Sequence, residues 1–63
     1  MKLDDVVNVY CTDLDKSTPG VIVRIAGPEK VSIDISGLLL NFHKIKNGVY
    51  IANHSGMEFV YKS

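Results

Sequence analysis

From Val31 to Ser36 hydrophobic and polar residues alternate without interruption, with Val31, Ile33 and Ile35 on one side and Ser32, Asp34 and Ser36 on the other. A period of two sends successive side chains to opposite faces, so this run predicts a half-buried strand. Val21, Val23 and Ile25 repeat the pattern one segment earlier and predict a strand with those three residues on its core side. Turn signals punctuate the chain at Pro19-Gly20, Gly27-Pro28, Ser36-Gly37, Asn47-Gly48 and Ser55-Gly56. Their spacing of about eight to ten residues is that of short strands in a sandwich or barrel.

Asn47-Gly48 is the strongest hairpin signal, because both residues tolerate the positive φ of a type I′ turn. A tight hairpin there sets Lys46 across from Val49, Lys44 from Ile51 and Phe42 from Asn53, with His43, Ile45, Tyr50 and Ala52 on the other side. Neither side is wholly apolar, which predicts a twisted ribbon with a bulge before Ile45. Two segments carry a competing helical period. Residues 38–46 place Leu38, Leu39, Phe42 and Ile45 on one helical stripe behind a Ser36 cap, and residues 3–14 place Leu3, Val6, Val7, Tyr10 and Leu14 on another. The β-branched run Val6-Val7-Asn8-Val9 favours a strand in the second case. Thr12 to Gly20 reads as a polar loop.

The expected fold is all-β: a single domain over residues 1–63, built as a five-stranded antiparallel meander or a small barrel that resembles the SH3-like kind in strand count and loop lengths. The alternative is an α+β fold with a short helix at 38–46 or 3–14. Composition agrees with the first, since β-branched Val and Ile dominate a chain that is 46% hydrophobic. At this size about 60% of the unfolded surface is buried, so functional residues share a small surface with the core.

Charge narrows the function without naming it. Seven Lys or Arg balance seven Asp or Glu, leaving no global field to attract nucleic acid or an anionic membrane. The N-terminal 36 residues are net acidic and the remainder, with Lys44, Lys46 and Lys62 against Glu58, net basic. A single cysteine, Cys11, excludes an internal disulfide, and no apolar leader follows Met1-Lys2. Both point to a reducing, cytoplasmic setting.

No arrangement of residues predicts catalysis, a metal or a cofactor. Cys11 with His43 or His54 lacks any nucleophile elbow or oxyanion loop. Asp13-Leu14-Asp15 opens like a calcium loop, but Thr18 stands where the turn glycine belongs and Arg24 where the bidentate glutamate belongs. The histidines lie eleven residues apart, which is not a zinc spacing.

What remains is binding. A non-enzymatic module acting through protein–protein contact or self-association, in an accessory or regulatory role, is the leading expectation. A small sheet cannot bury all its aliphatic residues, and Val9, Ile22, Leu39 and Val60 sit opposite the apparent core side of their neighbours. A homodimer is one form this can take. The alternative is single-stranded nucleic acid, bound by stacking bases on exposed rings beside basic side chains. The residues for that patch are His43, Lys44, Lys46, Tyr50, Tyr61 and Lys62.

Overall fold

The computed structural model describes residues 1–63 as six antiparallel strands in a closed barrel, each strand paired with the next and the last with the first. They are β1 (Val6–Cys11), β2 (Lys16–Ala26), β3 (Lys30–Ile35), β4 (Leu38–Lys46), β5 (Val49–His54) and β6 (Met57–Lys62). The all-β expectation holds, with one strand more than the five expected. Of the two competing helical segments, 38–46 is β4 and 3–14 contains β1 between turns, and no helix is long and apolar enough to cross a membrane. Closure removes the exposed edges that an open sheet of this length would present.

The extra order comes from β2. Its first residues, Lys16 to Pro19, pair with Cys11 to Asn8 of β1, so the expected polar loop shrinks to a turn over Thr12–Asp15. Pro19-Gly20 is therefore no turn. Lys16–Pro19 has no partner on β3, whose pairing begins at Val21, so the proline's missing N–H costs no bond on that side. Gly20 points inward. A Cβ there would lie 2.6 Å from the Ile33 Cγ2 and 3.2 Å from the Ile35 Cγ1, so the strand crosses β3 closely only because that position has no side chain.

Two bulges decide which residues face in. On β2 the register slips between Ile22 and Arg24, leaving Val23 as the extra residue. Ile22 is fully buried and Val23 is 44% exposed, the reverse of the facing that the alternation of Val21, Val23 and Ile25 predicts. On β4 the register slips between Lys44 and Lys46, with Ile45 bulged outward. Lys46 does oppose Val49, but Lys44 then opposes Tyr50 and His43 opposes Ile51, correcting the pairing expected for an unbulged hairpin. Only Gly48 of the Asn47-Gly48 turn has positive φ, whereas both residues of Ser36-Gly37 and Ser55-Gly56 do. The two Ser-Gly turns thus have the positive-φ pair of a type I′ turn, and the bulged hairpin uses a single left-handed glycine.

The interior is filled by side chains from every strand: Val9 and Cys11, Ile22, Val31, Ile33 and Ile35, Leu40 and Phe42, Tyr50 and Ala52, Phe59 and Tyr61. Tyr50 and Tyr61 are cross-strand neighbours stacked with centroids 5.8 Å apart. The Tyr50 hydroxyl donates to the Pro28 carbonyl at 3.0 Å, tying the β2–β3 turn to the barrel mouth. The Asp-rich turn is held by its own carboxylates. Asp13 Oδ2 accepts the Glu58 N–H at 2.7 Å and Asp15 Oδ1 accepts the Tyr10 hydroxyl.

Candidate functional site: the outer wall of β1 to β4

With the interior occupied, interaction chemistry falls to the outside of the barrel, where the registers arrange residues in rows. Val6 opposes Val21, Val21 opposes Asp34, and Asp34 opposes Leu39, so these four residues run across four adjacent strands on the outer face. Val6 is 72% and Leu39 56% exposed, with Val21 and the bulged Val23 exposed beside them. Asp34 interrupts this apolar row. Its Oδ1 accepts the Gly37 N–H at 2.8 Å and fixes the β3–β4 turn.

The next row runs Arg24, Ser32, Asn41. Arg24 faces outward because Val23 is bulged; in an unbroken strand it would share the inward face with Ile22. Ser32 is the one buried polar side chain, and its hydroxyl donates to Asn41 Oδ1 at 2.7 Å, which leaves the Asn41 Nδ2 group free as a donor. Beyond lies the row Ala26, Lys30, His43. The short side chains of Ala26 and Ser32 leave an open groove of about 390 Å³ bordered by Arg24, Lys30 and Asn41. No lysine or arginine side chain takes part in any side-chain hydrogen bond of the barrel, so the cations of this wall are uncommitted.

The residues expected to form an interface divide. Leu39 is on the apolar row, and Val60 is half-buried on the outer face of the β1–β6 seam. Val9 and Ile22 are the reverse of what was expected: both are fully buried, since β1 and the first part of β2 turn these residues toward the axis. They are core residues, and no surface passes through them. The basic patch divides too. His43, Lys46 and Lys62 are exposed and Lys44 is half-buried, but Tyr50 and Tyr61 lie inside the barrel. The platform expected of His43 and Tyr50 on one exposed face is therefore corrected, because the bulge at Ile45 resets the parity of β4 against β5 and turns Tyr50, with its neighbour Tyr61, to the core. Burial also raises the Tyr61 phenol above the usual tyrosine range, with the Asp5 charge adding to it. Cys11 is buried inside, while His43 is exposed on the outer face and His54 at the end of β5, and no hydrogen bond joins the thiol to either imidazole.

Pattern reading does not single out Val6, Arg24 or Asp34 of this wall, and Val21, expected on the core side with Val23 and Ile25, faces outward. The available signal was the spacing Ile22 to Ile25, two large apolar residues three apart in a strand, which marks a change of parity between them. Small closed all-β barrel is the class that this architecture defines. No protein-family model matches the chain, and no curated protein or solved structure matches it.

Proposed function

We propose that the protein is a non-enzymatic binding module that meets other proteins, its own copies included, through the outer wall of β1 to β4. The observation that carries this reading is the exposed row Val6, Val21 and Leu39, set beside uncommitted polar and cationic groups on a barrel whose interior is already full. An apolar strip rimmed by polar donors is the composition of a protein contact surface. The unpaired, buried thiol of Cys11 supports a reducing, cytoplasmic setting.

Sedimentation velocity of the full chain over a wide concentration range tests the reading, with Leu39→Asp as the comparison. The expected result is a mass that rises with concentration for the wild type and stays at one chain for the variant. Association that survives Leu39→Asp unchanged contradicts it. A second reading, single-stranded nucleic acid, is favoured by the exposure of His43, Lys46 and Lys62 together. It has to do without Tyr50 and Tyr61. Anisotropy of a mixed-sequence oligonucleotide at low and then physiological salt tests it, since a phosphate-driven contact weakens steeply with salt.

A further inference from the structure

Arg24 and Asp34 lie on the same wall, on adjacent strands and in adjacent rows, with opposite charges and with Val21 beside both. We infer that the wall is self-complementary: two copies pack face to face about a twofold axis, Arg24 of each taking the Asp34 carboxylate of the other. This deepens the proposal of a protein-binding wall and rests on it.

The first support is chemical. The groove bordered by Arg24 offers donors, namely the guanidinium, the Lys30 ammonium and the Asn41 Nδ2 group, because the Asn41 oxygen is already used by Ser32. Such a groove suits a carboxylate, and the planar fork of arginine can hold one through two parallel bonds. Asp34 supplies a carboxylate on the same face. Its Oδ1 is engaged by Gly37, and Oδ2 has no protein donor. Arg24 likewise makes no side-chain hydrogen bond within its own barrel. Neither the Arg24 guanidinium nor Asp34 Oδ2 has a hydrogen-bond partner in its own chain, and each has the chemistry the other needs.

The second support is geometric. In an isologous contact, if one residue meets a second, the second meets the first, so both pairs form at once. On the neighbouring strands β2 and β3, about 4.8 Å apart with residues rising about 3.4 Å along them, one in-plane twofold axis sets Arg24 over Asp34 of the second copy. The same axis lays Val21, beside both, close to its own counterpart. Val21 thus meets an apolar residue, and Asp34, which interrupts the apolar row in one barrel, meets the cation that neutralises it. Size is compatible as well. A standard interface takes about 800 Å² from each partner, roughly a fifth of the 4138 Å² surface. The broad face of a barrel with extents of 28 × 24 × 17 Å is of that order.

The test is a charge-complementation experiment by sedimentation velocity on the full chain. Arg24→Glu alone sets the new glutamate against Asp34 of the other copy, and Asp34→Arg alone sets the new arginine against Arg24. Each homodimer is expected to weaken by about a hundredfold or more, the effect of opposing like charges. In an equimolar mixture both cross-pairs are again of opposite sign, so the mixture should regain the two-chain species that neither variant forms alone. Asp34→Arg also removes the acceptor for the Gly37 N–H. Asp34→Asn keeps that acceptor, discards the charge, and should still weaken association. Thermal melts of each variant confirm folding.

A mixture that stays at one chain while Leu39→Asp abolishes wild-type association overturns this register and leaves the protein-binding wall standing. Association untouched by Leu39→Asp overturns both. Growth beyond two chains, or a wild type that is monomeric at every concentration, overturns the twofold pairing.

Discussion

Ile22 and Arg24, two residues apart on β2, point to opposite sides of the barrel wall, Ile22 into the core and Arg24 onto the surface. Strict alternation would put them on the same side. The bulge at Val23 separates them, and one inserted residue thereby completes the core and places the only arginine of the chain beside the apolar row.

That facing can be checked by stability. Ile22→Ala removes a fully buried side chain and is expected to cost about 2–5 kcal/mol, whereas Val23→Ala on the exposed bulge should change stability by no more than about 0.5 kcal/mol. Urea titrations of the two variants decide it. Equal losses, or the larger loss at Val23, would mean that β2 has the unbulged register.

Gly20 tests the closeness of β2 to β3. Its φ is not in the left-handed region, so the expected effect of Gly20→Ala comes from space alone: the new methyl meets Ile33 and Ile35 at less than contact distance. Overpacking of this kind typically costs about 1–3 kcal/mol. A midpoint in denaturant that rises rather than falls would contradict the close approach.

Tyr50→Phe keeps the stacked ring and removes one hydrogen bond to the Pro28 carbonyl. The expected loss is about 1 kcal/mol, with faster amide exchange concentrated around the Gly27–Glu29 turn. Exchange that accelerates evenly around the barrel would show that the hydroxyl does not pin that turn.

Alkaline pH should destabilise the fold through tyrosine. Tyr61 has a raised phenol pKa, first from burial and then from the charge of Asp5, and Tyr10 has one raised by its hydrogen bond to Asp15. A group that holds its proton more tightly folded than unfolded contributes stability that is complete below the unfolded pKa, near 10.0 for tyrosine, and is lost as pH rises through the higher folded value. Tyrosinate absorbance should therefore develop above the ordinary range, and Tyr61→Phe should shrink the alkaline fall in thermal midpoint. A fall of undiminished size in Tyr61→Phe would place the linkage elsewhere.

The sequence shows its fold wherever one face is apolar and the other polar. Val31 to Ser36 alternates cleanly, and β3 has the expected facing, because only one register buries Val31, Ile33 and Ile35. Val21, Ile22 and Val23 are apolar in succession, so hydrophobicity cannot choose between faces; the choice is made by the long-range fit of Gly20 against Ile33 and by the bulge. The same limit explains Tyr50. A tyrosine is amphipathic, and its burial depends on whether its hydroxyl finds a partner, here a carbonyl twenty-two residues upstream of Tyr50. Leu39 was legible as a surface residue because Leu40 and Phe42 claim the inward face of β4. Arg24 and Asp34 became neighbours only through the β2–β3 register, which no local pattern encodes.

The most direct test of the outer-wall account uses the unmodified chain: backbone amide chemical shifts followed as protein concentration is raised. Saturable shifts are expected to concentrate at Val21, Arg24, Asp34 and Leu39, with Lys46 and Lys62, which lie outside these rows, left still. Shifts confined to Lys46 and Lys62, or none at any concentration, would contradict it.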